Sequence, residues 1–287
     1  MPTEELVFPY WDDISGTIRG YRVFTACRTV RGKVFRLEDH FDRLYTSAAS
    51  IHMTPPIPRD QLRRLVSELI ARNREQSGTT ELLLDVVFSG GLEGATMKKG
   101  TSGSHLYIAV QPLVTPPPEN YQTGVALAVF PHQRLYADVK LLNYVGAIIA
   151  HQTVVPSHRA FDVLFVCPED RQTILEGSTF TIFFVDGSGT VLTPPLDGRI
   201  LDSISRRVVL ELLQERGRPR LKELPIRLDQ VPSFREAFLV STTRSVLPVS
   251  RLDDQVVGDG APGGVTRELM RLFEEYMSAY RGENRSS

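Results

Sequence analysis

The sequence predicts an α/β protein in two parts, a small α+β domain followed by a larger α/β domain. Two observations lead there. The run Val114-Thr115-Pro116-Pro117-Pro118-Glu119-Asn120 interrupts the chain with consecutive prolines, which hold the backbone extended and remove hydrogen-bond donors. On both sides of that run, β-branched and aromatic stretches of strand length mix with stretches whose apolar residues recur at helical spacing. The expected division is residues 1–114 as a small N-terminal domain, 115–120 as a linker and 121–287 as a large C-terminal domain.

In the first part, Tyr21 to Val30 reads as a strand, Arg31-Gly32-Lys33 as a turn and Val34 to Arg36 as a short return strand. Leu37, Phe41, Leu44, Ala48 and Ile51 then repeat with helical period, with Glu38 and Asp39 where a helix start favours negative charge. A second helix follows Pro58 with Leu62, Leu65, Leu69 and Ile70 facing inward, and strands are expected over Glu81 to Phe88 and His105 to Val110. After the prolines, Gly124 to Phe130 is a strand and Leu141 to Val155 an apolar helix. Phe161 to Val166, Thr173 to Leu175 and Phe180 to Val185 are strands, and Ser203 to Leu213 and Arg267 to Tyr280 are helices. Ala237 to Ser241 and Val246 to Val249 are strands around a Thr-Thr-Arg turn, and Gly282 to Ser287 reads as a frayed tail. No GxGxxG opens a helix after a strand and no Walker A sequence is present, which disfavours the dinucleotide and P-loop folds.

A net charge of -1 implies no broad attraction to nucleic acid or an anionic membrane. No apolar run reaches spanning length, and the acidic start at Thr3-Glu4-Glu5 is unlike a signal peptide. Two cysteines far apart, Cys27 and Cys167, argue against a disulfide scaffold and fit a reducing cytoplasm. No His or Cys spacing suits a metal, so none is expected.

Lys140 stands out chemically. Among the five lysines it alone opens a long apolar stretch, Lys140-Leu-Leu-Asn-Tyr-Val-Gly-Ala-Ile-Ile-Ala. Loss of solvation lowers an amine's pKa and leaves it able to attack a carbonyl, although a lysine snorkelling from a helix end has the same sequence. Glu176, in Ile174-Leu175-Glu176-Gly177-Ser178-Thr179, is a carboxylate that needs a partner if buried, such as a protonated ring nitrogen; in solvent it is a turn glutamate. Thr242 and Thr243 lie in a strand-to-strand turn, and Ser203-Ile204-Ser205 starts a helix, where free backbone N–H groups and hydroxyls bind anions. Arg43 would add a bidentate clamp. Each of these has a plainer reading as a cap, a turn residue or a solvated arginine.

Taken in order, these pieces resemble the class IV (fold type IV) pyridoxal-phosphate enzymes: D-amino-acid aminotransferases, branched-chain aminotransferases and aminodeoxychorismate lyases. The resemblance runs from about Tyr21 to Tyr280. Phe35-Arg-Leu-Glu-Asp-His-Phe-Asp-Arg43-Leu-Tyr-Thr-Ser47-Ala is similar to the family's first helix, whose arginine contacts the cofactor phosphate. Asp138-Val-Lys140-Leu-Leu-Asn143-Tyr144 resembles its Schiff-base segment, and Leu175-Glu176-Gly177-Ser178-Thr179 the segment carrying the carboxylate for the pyridine nitrogen. Pro194 to Arg206 resembles the phosphate-binding helix start and Phe238 to Thr243 the last phosphate contact. Ser203-Ile204-Ser205 replaces the usual Gly-Ile-Thr, Thr181 stands where Asn is common, and Ile18-Arg19-Gly20-Tyr21-Arg22 replaces the Gly-Asp-Gly before the first strand.

The resemblance implies a D-amino-acid aminotransferase-like fold. It also implies pyridoxal 5'-phosphate as cofactor, an amino acid and a keto acid as substrates, and a cytoplasmic homodimer with its active site near the interface. Lys140 would carry the Schiff base and move the α-proton, Glu176 would hold the pyridine nitrogen protonated, and Tyr144 would donate to the ring 3-oxygen. Arg43, Ser203, Ile204, Ser205, Thr242 and Thr243 would anchor the phosphate, Ile204 through its backbone. Neither usual carboxylate clamp is present. Val87 to Gly94 lacks the Arg-x-His pair of D-amino-acid enzymes, and Leu82, Leu83 and Leu84 stand where branched-chain enzymes place Tyr and Arg. Phe24, Ala26 and Arg28 share one strand face. The resemblance puts Phe24 where the family places a substrate-pocket aromatic, which makes Arg28 the candidate replacement clamp. The expected activity is transamination of a D-amino acid or a branched-chain L-amino acid. The alternatives are an aminodeoxychorismate-lyase-like reaction or cofactor binding without turnover.

Overall fold

The strand run that begins at Arg22 buries side chains on both of its faces, which is why β-branched and aromatic residues crowd it. A computed structural model describes residues 5, 7, 12–77, 81–91 and 103–281. It divides into two compact units, the first drawn from Met1–Val114, Val139–Asn143 and Met277–Ser287, the second from Thr115–Asp138 and Tyr144–Tyr276.

In the first unit a short helix, α1 (Ile14–Arg19), leads into β1 (Arg22–Val30) and a two-residue return strand, β2 (Lys33–Val34). The return strand stops short of Arg36, whose left-handed φ of 54° turns the chain into α2 (Leu37–Ser50). Phe41, Leu44 and Ala48 of α2 are fully buried. Along α3 (Arg59–Ser77) the stripe Leu62, Val66 and Ile70 faces the core, while Leu65, expected inward, is 38% exposed. Spacing by four residues keeps that stripe together, and Leu65 falls on its edge. Glu38 joins the two helices by accepting from Arg59 at 2.7 Å and Arg63 at 2.8 Å. With β3 (Leu82–Ser89) and β4 (His105–Pro112), the described strands form a sheet ordered β2-β1-β3-β4.

The second unit opens on α4 (Pro118–Thr123), so the proline run does not stay extended to Asn120; Pro118 stands at the helix start, where a missing N–H costs nothing. There follow β5 (Val125–Pro131), α5 (Val145–Ser157), β6 (Asp162–Val166), β7 (Ile174–Gly177), β8 (Thr181–Val185) and β9 (Val191–Thr193). Then come α6 (Ile204–Arg216), β10 (Leu221–Glu223), β11 (Glu236–Ser241), β12 (Ser245–Leu252), β13 (Gln255–Val256) and α7 (Gly264–Ala279). The described strands make one mixed sheet ordered β10-β9-β8-β11-β12-β5-β6-β7, with β13 against β12. Its core includes Phe183 stacked on Phe238 at a centroid distance of 4.9 Å.

The helix expected from Leu141 starts at Val145 instead. The preceding backbone is already engaged with β1: Phe24 N–H donates to the Lys140 carbonyl at 3.0 Å, and Leu142 N–H to the Arg22 carbonyl at 3.1 Å. Leu141 is bridged to Val23, and Val139 and Leu141 pack into the core of the first unit. Groups used in strand-like pairing are not available to a helix ladder. Among the described residues, no helix is long and apolar enough to cross a membrane.

Candidate active site

In the first unit, the pairing just described fixes Lys140 at the edge of β1. Its backbone N–H donates to Ser47 Oγ at 3.2 Å, and its Nζ lies 4.7 Å from the centroid of the Phe24 ring. The ring face attracts the amine's positive charge and walls it from water. The register of β1 against β3 pairs Phe24 with Val87, Ala26 with Asp85 and Arg28 with Leu83. Phe24, Ala26, Arg28 and Asp85 therefore share one face of the sheet. Arg43 reaches the other face of β1, donating to Thr25 Oγ1 at 3.1 Å; that hydroxyl also lies 2.7 Å from His40 Nδ1. Asp85 did not stand out in the sequence, because a single carboxylate inside a run of leucines and valines carries no motif. Burial raises its pKa, and the Lys140 charge works against that rise.

In the second unit, Glu176 lies within β7 and is 6% exposed. Arg134 donates to Oε1 through Nε at 2.9 Å and also through Nη2, while the Leu201 N–H donates to Oε2 at 3.2 Å. Arg134 in turn holds the Ala137 carbonyl at 3.0 Å. A carboxylate has lone pairs for more donors than these, so Glu176 is oriented yet still able to accept another. The turn after it requires glycine, since a Cβ at Gly177 would lie 2.1 Å from the Phe180 ring. Tyr144 occupies the N-cap of α5 and packs against the cluster containing Ala147, Phe165, Leu175 and Ile200. Ser203 caps α6 by accepting from the Arg206 N–H at 3.2 Å, and Ile204 and Ser205 form the first turn, whose amides lack intrahelical acceptors. Thr242 and Thr243 sit in the β11–β12 turn. Beside them the Ser241 hydroxyl is buried without a hydrogen-bond partner among the described residues.

A second charged group in this unit escaped sequence reasoning because its members are scattered along the chain. Asp162, fully buried, accepts from Ser178 Oγ at 2.7 Å, lies 3.0 Å from His151 Nε2 and 2.7 Å from Arg244 Nη2. Arg244 is packed between the Phe161 and Phe180 rings. These residues line an open cleft of about 340 Å³ together with Tyr144, Ile148 and Thr179. Burial works to raise the Asp162 pKa, but His151, Arg244 and Ser178 outweigh it and hold the carboxyl below its usual range. The hydrogen bond to Asp162 pushes His151 up.

Each unit taken by itself supplies part of what an aldehyde-bearing, phosphorylated ring cofactor asks of a protein. The first offers a shielded amine, and the second an oriented buried carboxylate with an unsatisfied hydroxyl beside a threonine turn. A shielded amine and an oriented buried carboxylate are groups that pyridoxal-phosphate enzymes use. The chain belongs to the class IV aminotransferase family: the model of the family described as Amino-transferase class IV matches residues 22–252. It is a pyridoxal-phosphate-dependent aminotransferase.

A protein of Methanocaldococcus jannaschii, assigned provisionally as a branched-chain-amino-acid aminotransferase, is 29% identical over 265 residues, covering 91% of this chain and 88% of that one. The D-alanine aminotransferase of Bacillus licheniformis is 29% identical over 264 residues, covering 89% of each. The fold is similar to that of the branched-chain aminotransferase of the thermophilic archaeon Thermoproteus uzoniensis solved with norvaline. The TM-score is 0.81 at 23% identity, over 97% of this chain and 92% of that one. Another branched-chain amino acid aminotransferase, solved with pyridoxamine 5'-phosphate, has a TM-score of 0.83 at 22% identity, over 98% of this chain and 92% of that one.

Proposed function

We propose that the enzyme moves an amino group between an amino acid and a 2-keto acid, taking a D-amino acid or a branched-chain L-amino acid as donor. The observation that carries the reading is the Lys140 amine set over Phe24, on a sheet face that also bears Arg28. The names of the D-alanine and branched-chain relatives support the two donor classes.

Bound pyridoxal phosphate supplies the carbonyl that accepts the amino group and the electron-withdrawing ring that stabilises a carbanion. Lys140 would hold it through the ε-amine, and the freed amine would serve as the base at the substrate Cα. Glu176, oriented by Arg134 and the Leu201 N–H, accepts from the ring nitrogen. Tyr144 donates to the ring 3-oxygen. Ser203, Ser205, Thr242, Thr243, the Ile204 N–H and Arg43 bind the phosphate, and Phe24 and Arg28 face the substrate, Arg28 toward its carboxylate. The enzyme acts as a homodimer in the cytoplasm. Supporting this are the apolar residues exposed on α5, Val145 at 62%, Ile148 at 53% and Ile149 at 48%, and two free, buried cysteines.

The test is the visible absorption of the holoenzyme before and after D-alanine or L-leucine is added separately. Conversion of the cofactor band by one of them supports the reading and fixes the stereochemistry; a band that neither changes refutes these donor classes. Lys140→Ala should remove the band and lower kcat about 10²- to 10⁴-fold. A variant that kept both would refute the role of Lys140.

A further inference from the structure

The face of the first sheet that carries Phe24 and Arg28 also carries Asp85, opposite Ala26 on β3. An acidic group there is unexpected if the donor is a plain aliphatic amino acid, because its charge repels the donor's carboxylate. Asp85 is half-buried, and among the described residues it has no ion pair. Its hydrogen bond, from Gln111 Nε2, is 3.5 Å long, at the limit of such contacts. Half-buried carboxylates with so little compensation are costly unless a cation meets them. Burial pushes its pKa up, and among the described residues the charge acting against that is Lys140, the amine that would carry the cofactor in the holoenzyme.

We propose that Asp85 is a specificity-determining residue that selects amino donors carrying a second cationic group. In the β1–β3 register Arg28 and Asp85 are diagonal neighbours, with side chains rooted about 7–8 Å apart. A donor with its carboxylate toward Arg28 and a distal ammonium toward Asp85 gives both groups a counter-charge, whereas an aliphatic chain leaves Asp85 without one. The inference rests on the amino-acid reading above and narrows it to basic amino acids.

Lysine and norleucine, each in D and L form, test it, because they differ in the terminal ammonium. The readout is kcat/KM from single-turnover bleaching of the holoenzyme band. Wild type should favour lysine at least about tenfold, Asp85→Asn should abolish the preference, and Asp85→Glu should retain part of it. Calorimetry with hexanoate and 6-(trimethylammonio)hexanoate, neither bearing a reactive amine, should show the same preference in binding and the same loss in Asp85→Asn. Norleucine turnover with an unchanged lysine-to-norleucine ratio in Asp85→Asn overturns the role of Asp85 alone, as when Asp85 merely steadies Arg28. Failure of both lysine and norleucine in an enzyme whose band D-alanine or L-leucine converts overturns this proposal alone; failure with all four overturns the amino-acid reading with it.

Discussion

At the scale of single residues, the first sheet puts opposite charges on the same face as an aromatic ring, and their roles separate by what each can pair with. Arg28 has the planar fork that suits a carboxylate, and a charge-assisted pair of this kind contributes about 1.5–3 kcal/mol. Arg28→Ala should therefore raise KM for amino-acid donors about 10- to 100-fold with a smaller change in kcat. Steady-state kinetics check this, and an unchanged KM would remove Arg28 from the substrate site. Lys140 and Glu176 could be singled out as candidates in the sequence because each sits in a distinctive local string. Asp85 and Arg134 were not, since their significance lies in partners more than 40 positions away, Lys140 and Glu176 respectively.

At the scale of elements, Asp162 ties together α5, β6, the turn after β7 and the β11–β12 turn through His151, Ser178 and Arg244. The His151 partner raises the folded-state pKa above its ordinary value. Its contribution to stability is then fully present below the ordinary histidine range and is lost as pH rises through the raised value. Thermal melting followed from about pH 5 to about pH 8 should show wild type losing stability toward the alkaline end more steeply than His151→Gln. Parallel profiles would mean that the contact contributes no proton-linked stability. The helix starts at α2, α3 and α6 were close to the sequence expectation because periodicity and caps are local signals. The start of α5 was missed by four residues, Leu141 against Val145, because apolar residues suit a bridge to β1 as well as they suit a helix.

At the scale of the whole molecule, Val145, Ile148 and Ile149 of α5 remain exposed in the single chain. Exposed apolar groups gathered on one element suit an interface. If two copies cover this face, Ile148→Asp should shift the protein from dimer to monomer in light scattering at micromolar concentration. A dimer of undiminished stability would place the interface elsewhere. The proline run marks where the second unit begins, at Thr115, but the segment Val139–Asn143 returns to the first unit and brings Lys140 with it.

The sequence by itself determined the α/β class, most strands and helices and the family, because those rest on local period and on motifs short enough to read along the chain. Tertiary structure alone decided that Lys140 docks on β1 over Phe24, that Arg134 and the Leu201 N–H orient Glu176, and that Asp85 shares a face with Arg28. Each of these depends on strand register or on contacts between distant segments. A one-residue change of register would turn Asp85 to the opposite face, and nothing in its neighbours along the chain reveals which face it takes.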